Sequence, residues 1–328
     1  MLKRTVVALL GAMAIVVGLA PNASAGETIK IGTLAPQQSV WGKVFEVWKA
    51  GVSKKSEGKL ELQFFYNGQQ GDEGAMVGKM KAGQLDGAAI TAVGLSKIHK
   101  PILALQVPGA LTTWDKVERA QNALKGDFEK GVGDAGFKLL GWGNVGRAHL
   151  FLKGDAAVSK PSDLKSRKPY MWRDDIISPV FYSVVGVNPV PLNVPEVLPQ
   201  LKTGAVDTVN APALAVEQLQ WAPQLNQVSE QVTAVAVGAL VVSGSRLNAL
   251  PGDLRTILLD TGAIASKALG DKIKNEDEAA YGRMSSKMKK YSVDAGAFNQ
   301  VFKQVRDRLK QGTFPADLVK KIEDIGGV

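Results

Sequence analysis

The segment Met80-Lys81-Ala82-Gly83-Gln84-Leu85-Asp86 returns in type as Leu201-Lys202-Thr203-Gly204-Ala205-Val206-Asp207. In each copy a helix ends on a cation that suits the negative end of its dipole. Glycine then takes the turn that stops the helix, and an apolar residue plus Asp lead into a strand. A single junction of this kind is common to any helix-to-strand connection. Two copies, each running on into a small-residue strand and a loop, predict two lobes of related α/β construction.

Upstream of the first copy, Thr28-Ile29-Lys30-Ile31-Gly32-Thr33 alternates as a strand does. Ser39 then caps a helix carrying Trp41, Val44, Phe45, Trp48 and Val52 at helical spacing, and Leu60, Leu62 and Phe64 alternate again. This β-α-β opening favours parallel strands and a right-handed crossover. The next helix runs from about Glu73 to Ala82. Between the copies lies Phe137 to Lys153, and beyond the second lies Val232 to Ser243. Both are rich in β-formers and long enough to pass from one lobe to the other. After Pro251 a helical pattern with Leu254, Ile257, Leu258, Ile264, Ala268 and Ile273 near one face runs to about Tyr291. Its roughly 40 residues would span about 60 Å, enough to reach both lobes. Gly262, Gly270 and Gly282 weigh against its being continuous throughout. Two closing helices follow, the first with Phe298, Val301, Phe302, Val305 and Leu309 on one side, the second near Pro315 to Ile325. The predicted division is lobe I from 26–148 plus about 238–270, and lobe II from 149–237 plus about 271–328.

The 328 residues contain 45% hydrophobic side chains, 40 Lys+Arg, 31 Asp+Glu, two His and no Cys. That is the balance of a soluble globular protein. Without cysteine, thiol catalysis, Fe–S clusters and Cys-based zinc sites are excluded. His99 and His149 alone are too few for a histidine-rich metal site, so neither metal nor cofactor is expected. Lys3 and Arg4 precede an apolar run from Val6 to Ala20 and then Ala23-Ser24-Ala25. This is the order of a secretory signal, with cleavage predicted after Ala25 and the mature chain outside the cytoplasmic membrane. The apolar run is shorter than the roughly 20 residues that span a bilayer. Removing residues 1–25 leaves 38 basic against 31 acidic residues, an excess of seven, since the segment holds two basic and no acidic side chains. Those cations are spread out, and with 6% aromatic residues they form no nucleic-acid footprint.

Gly141-Trp142-Gly143-Asn144-Val145-Gly146 matches a dinucleotide fingerprint in spacing, but Arg147 to Lys153 reads as strand where that fingerprint needs a helix. The glycines are better read as close backbone approach at a bend. No P-loop, HExxH, GxSxG or EF-hand loop is present. Asp72-Glu73, Asp174-Asp175 and Glu276-Asp277-Glu278 read first as helix-start or surface charges, and His149 as a structural histidine. With no catalytic constellation, a binder is expected rather than an enzyme. Tyr170, Asp72 and His149 would be the only candidates for catalysis.

In order along the chain stand Ile29-Lys30-Ile31-Gly32, Asn67-Gly68-Gln69-Gln70-Gly71-Asp72-Glu73, Gly83-Gln84-Leu85-Asp86, Gly146-Arg147, Asp163-Leu164-Lys165, Pro189-Val190-Pro191, Pro195-Glu196-Val197, the second repeat copy and Leu250-Pro251-Gly252-Asp253-Leu254. This series resembles the periplasmic solute-binding subunit of TRAP transporters, the DctP-like family, across essentially the whole mature chain. The resemblance implies a type II periplasmic binding protein fold, with two α/β lobes closing on a ligand by a hinge and a long helix spanning both. It also implies delivery of the ligand to a small and a large TRAP membrane subunit. The commonest ligands of that family are small organic acids held by a forked arginine, a charge-assisted and geometrically specific pair.

This chain departs from the family at that arginine. Asp163-Leu164-Lys165-Ser166-Arg167-Lys168-Pro169-Tyr170 places Tyr170 at the clamp position. The family's asparagine falls on Ala211 with Asn210 beside it, and a customary aromatic is Val194. Arg147 matches the secondary arginine, and Arg173 lies three residues past Tyr170. If either arginine reaches the cleft, the ligand keeps a carboxylate, with an apolar body against Trp142, Trp172, Trp41 or Val194. If neither does, the pocket is neutral and suits a larger or less polar ligand, because Tyr170 brings a hydroxyl and no charge. The candidate ligand-binding set is Arg147, Tyr170, Arg173, Asn210, Trp172, Trp41, Asp72, Val194 and Ala211. The helix patterns are compatible with a monomer or a homodimer.

Overall fold

The computed structural model describes residues 26–328, and the expected signal peptide, 1–25, lies outside the described residues. The chain opens with β1 (Glu27–Thr33), α1 (Val40–Lys55) and β2 (Leu60–Phe65). β1 and β2 are parallel, as the pattern predicts. The Ser39 hydroxyl caps α1 by accepting from the Gly42 N–H at 3.1 Å. Below the cap α1 buries Val44, Phe45, Trp48 and Val52, each worth roughly 1.5–3 kcal/mol. α2 (Glu73–Lys81) and β3 (Gly87–Thr91) follow, then α3 (Ala92–Leu95), α4 (Trp114–Ala123), α5 (Lys125–Asp134) and β4 (Phe137–Trp142).

The chain then changes sheet. β5 (Gly146–Leu152), β6 (Tyr170–Trp172), α6 (Ser178–Val185), β7 (Val190–Leu192), α7 (Val194–Thr203), β8 (Thr208–Pro212), α8 (Ala213–Gln218) and β9 (Gln227–Ala236) build the second lobe. β10 (Gly238–Ser243) returns to the first, followed by α9 (Gly244–Ala249) and α10 (Gly252–Ser285). β11 (Lys289–Tyr291), α11 (Ala295–Leu309) and α12 (Ala316–Gly326) close the chain. The first sheet has the order β2-β1-β3-β10-β4 and the second β11-β9-β5-β8, while β6 and β7 form a small parallel pair.

Both repeat copies behave alike. Gly83 and Gly204 sit at φ +70° and +74° after α2 and α7, in the left-handed region that stops a helix. The aspartates that follow fix strand positions in a parallel way. Asp86 accepts the Lys30 N–H at 2.8 Å and pairs with Arg246, and Asp207 accepts the Lys168 N–H at 2.8 Å and pairs with Arg167.

The two β-rich segments between the lobes run antiparallel to each other. β4 pairs with β10 and β5 with β9, and the Gly143 and Val145 N–H groups donate to Gly238 and Ala236 at 2.8 Å through the crossing itself. The glycines of the 141–146 motif admit α10 against this ribbon. A Cβ at Gly141 would stand 2.6 Å from Ser266, and one at Gly146, φ +147°, would stand 2.5 Å from Asp277. α10 runs unbroken for 34 residues, about 51 Å, the long helix expected to span both lobes, in spite of its glycines. Gly262 gives room to Leu140 of β4, and tertiary packing outweighs the weak propensity of Gly270 and Gly282. The buried stripe of α10 runs through Leu254, Leu258, Ala265, Leu269 and Ile273. Ile264, expected on that face, is 61% exposed.

α10 is tied to both lobes. The Trp48 indole donates to Thr261 at 3.0 Å in the first, and Asp277 accepts the Arg147 and Leu214 N–H groups in the second. α11 packs on α6 in the second lobe. α12 instead packs against α4, with Gly326 close against the Ala110 carbonyl, so the tail expected wholly in lobe II crosses back to the first. Among the described residues no helix is long and apolar enough to cross a membrane.

Gly270→Ala, where no atom lies within 4 Å of the new methyl group, is expected to stabilise the fold by about 0.5–1 kcal/mol. Gly146→Ala is expected to destabilise it by roughly 1–3 kcal/mol or more. Urea unfolding of both variants measures the contrast.

Candidate functional site

Between the two sheets lies a cavity of about 310 Å³. Leu34, Trp41 and Ile90 wall it from the first lobe, and Tyr170, Phe181 and Trp221 from the second. Polar atoms enter from Thr91, Asn210, Gln231 and Thr233. Among the described lining residues there is no Lys, Arg or His.

Six of the candidate residues line this space: Trp41, Tyr170, Trp172, Val194, Asn210 and Ala211. Arg147, Arg173 and Asp72 do not. On β5, Ala148 and Leu150 face the cavity, whereas Arg147 reaches Glu278 of α10 at 3.7 Å. His149 stacks on Tyr281 of α10 with centroids 4.2 Å apart. Arg173 is half exposed and pairs with Glu196 at 3.3 Å. Arg167, the arginine nearest Tyr170 on its amino-terminal side, donates to Thr208, Lys153 and Asp207 and holds the second-lobe backbone. The basic side chains around the clamp position are thus engaged by neighbouring acids and carbonyls. Tyr170 is buried, and burial together with the Asp72, Asp175 and Glu73 carboxyl groups holds its hydroxyl well above the usual tyrosine range. It enters the site as a neutral phenol.

Asp72 ties the lobes together instead of lining the cavity. Standing at the start of α2, it accepts the Glu73 N–H at 2.7 Å and, from the other lobe, the Trp172 indole N–H and the Val194 N–H at 3.0 Å each. Burial raises its carboxyl above the ordinary range, and these donors oppose the rise. Lys97 and Asp174 make a second link between the lobes at 3.3 Å.

Three acids read from sequence as helix starts or surface charges are structural or cavity groups. Asp277 is buried under the ribbon. Glu73 lines the cavity and accepts from the Thr91 N–H, the Thr91 hydroxyl and the Gly94 N–H. Burial pushes its carboxyl up to about 8, with the Thr91 donors pulling the other way. Asp175 also lines the cavity, and burial raises it while the Ser178 hydroxyl and Ile177 N–H hold it at the start of α6. The signal that could have revealed Glu73 is Gly94, where a Cβ would come within 2.8 Å of the Glu73 side chain. Trp221, Phe181 and Tyr182 were also missed, because their contribution to the wall follows from how α6 and α8 pack and not from a motif.

Residues 31–312 match the family described as bacterial extracellular solute-binding protein, family 7, DctP. The chain belongs to this family. It is a solute receptor of that family with the two-lobed fold of the TRAP periplasmic binding proteins. The 2,3-diketo-L-gulonate-binding periplasmic protein of Escherichia coli is 22% identical, covering 84% of each chain. A Chromohalobacter salexigens TRAP periplasmic solute-binding protein, solved with bound D-glucuronate, superposes with a TM-score of 0.83 at 20% identity, covering 90% of this chain and 99% of its own. A Ralstonia eutropha counterpart, solved with (S)-2-acetolactate, gives 0.83 at 18% identity over 92% and 98%. At these identities the likeness to the solved structures is one of fold.

Two outcomes follow from the geometry. Asp72→Ala removes both cross-lobe acceptor contacts, each charge-assisted bond being worth roughly 1.5–3 kcal/mol, and should open the lobes, read as a larger radius of gyration in small-angle scattering. His149, whose Nδ1 lies 3.0 Å from the Ser229 carbonyl, is pushed down to about 4 from 6.5 by burial, with Arg147 adding to the effect. The unfolded imidazole therefore binds a proton where the folded one does not, so the contribution of His149 rises between about pH 4 and 6.5 and is complete above that window. Glu73, held up to about 8, contributes the opposite slope over much of the same range, so the measurement is the difference in unfolding free energy between the wild type and His149→Phe, which should grow from pH 4 to 6.5 and level off above it.

Proposed function

We propose that this chain is the periplasmic receptor of a TRAP-type secondary transporter, closing its lobes on an organic solute and handing it to the small and large membrane subunits. The observation that carries this reading is the cavity walled from both sheets, because a ligand that touches both lobes stabilises the closed arrangement over the open one. The charged, apolar and small residues of 1–25 support export and a periplasmic setting. The chain binds its solute and does not transform it. Of the catalytic candidates only Tyr170 lines the cavity, while Asp72 and His149 are engaged elsewhere.

The relatives solved with organic acids support an organic acid as ligand. The lining supports one with a sizeable apolar body, whose carboxylate stays toward solvent, since no arginine stands among the described lining residues to fork around it. A neutral or hydrophobic ligand is the second reading, and the absence of any cation among the described lining residues favours it. In both, Tyr170, Trp172, Trp41, Val194, Asn210 and Ala211 form the contact surface.

Mass spectrometry of the co-purifying compound, followed by a thermal-shift screen of compact and lipophilic acids, tests the receptor reading, and chemical turnover of the bound compound would sink it. With a ligand in hand, Trp221→Ala is expected to weaken binding roughly tenfold or more, from about 1.5–3 kcal/mol of lost apolar contact. Arg147→Ala should change affinity less than about twofold. A large loss at Arg147 would restore the carboxylate clamp.

A further inference from the structure

The Tyr170 hydroxyl is buried against the cavity without a hydrogen-bond partner, and its ring is held edge-on to Trp221 at 6.0 Å. Several other polar groups of the wall are already engaged. Both Glu73 oxygens accept from Thr91 and Gly94, Asn210 Oδ1 accepts from Thr233, and Gln106 Oε1 accepts the Val237 N–H. A buried polar atom without a partner is costly, and a ligand atom that satisfies it gains specificity. The charge around it is one-sided. The ionisable groups that act most on it are Asp72, Asp175, Glu73 and Tyr182, and there is no basic side chain among the described lining residues. A carboxylate placed on Tyr170 would lose its hydration, meet no cation and face three acids.

Resting on the receptor reading, we propose that the cavity selects an uncharged, largely apolar molecule carrying one hydrogen-bonding oxygen, a hydroxyl or a carbonyl, seated on the Tyr170 hydroxyl. The apolar body fills the space among Trp41, Phe181 and Trp221, and the single oxygen sets its orientation. Tyr170 is then the specificity-determining residue, using a neutral donor and acceptor where the resembling family uses a charge.

The test uses the mature chain stripped of bound lipid, with displacement of the neutral fluorophore N-phenyl-1-naphthylamine at pH 8. Octan-1-ol, octan-2-one, octanoate and octylammonium supply equal chains with different head groups, and succinate and galacturonate represent compact acids. The alcohol and ketone should bind at least about tenfold tighter than either charged octyl compound. Tyr170→Phe should weaken the alcohol and ketone about fivefold more than it weakens the fluorophore, without lowering the unfolding midpoint, since it removes a buried hydroxyl that has no partner. Octanoate or octylammonium binding as tightly as octan-1-ol, or no effect of Tyr170→Phe, would overturn the proposal and leave the receptor reading intact. Binding of no compound in the panel, fluorophore included, would count against both.

Discussion

The carboxylate of Asp277 reaches from α10 into the notch at Gly146, where the crossing ribbon enters the second sheet, and accepts the N–H groups of Arg147 and Leu214. Much of the molecule's organisation depends on that contact. It fixes the long helix to β5 and to the start of α8, while Trp48 and Thr261 fix the same helix to the first lobe. The ribbon and the helix are therefore three chain segments passing between the lobes in parallel mechanical contact, not three independent linkers. A buried carboxylate is costly unless its oxygens are satisfied, and here two backbone donors satisfy it. The glycine is what makes the approach possible, since a side chain at 146 would occupy the carboxylate's place.

The same economy of charge explains the cavity. Arginines stand at 147, 167 and 173, around the position where the resembling family carries a clamp, yet Glu278, Asp207 and Glu196 each engage one of them. What remains facing the cavity is aromatic and aliphatic surface with scattered neutral polar atoms and two acids whose protons are held more tightly than usual. A site of this kind derives affinity from apolar area and orientation from very few hydrogen bonds. The contacts at Asp72 and at Lys97–Asp174 join the two lobes, and those of Asp72 hold Trp172 and Val194, which line the cavity.

Much of the architecture was legible from periodicity. The β-α-β opening, the glycine stops at 83 and 204 and the two crossing segments are local signals, and each was readable because helix ends and strand alternation leave marks within a few residues. The helix after Pro251 was expected to span both lobes, but its glycines weighed against continuity because propensity is local. Its continuity comes from packing on α1, β4 and α8, which no window of sequence contains. Ile264 illustrates the same limit from the other side: an apolar residue at plausible spacing is left in solvent once the helix rotates to serve two lobes. At the site, position told which residues stand near the clamp but not where their side chains end. Tyr170, Trp172, Trp41, Val194, Asn210 and Ala211 meet at the cavity, whereas Arg147 and Arg173 turn to carboxylates distant in sequence.

By itself, then, the sequence determined the class of the protein: two related α/β lobes, no cysteine for thiol chemistry or thiolate metal sites, and a tyrosine in place of the family's arginine. These are properties of composition, spacing and residue type. Tertiary structure alone decided the charge of the binding space, because whether an arginine meets a ligand or an acid depends on which face of a strand it occupies and which helix crosses behind it. It likewise decided that Glu73 is a buried wall of the cavity and Asp277 the anchor of the hinge, since burial is a relation between segments that come together only in the folded chain.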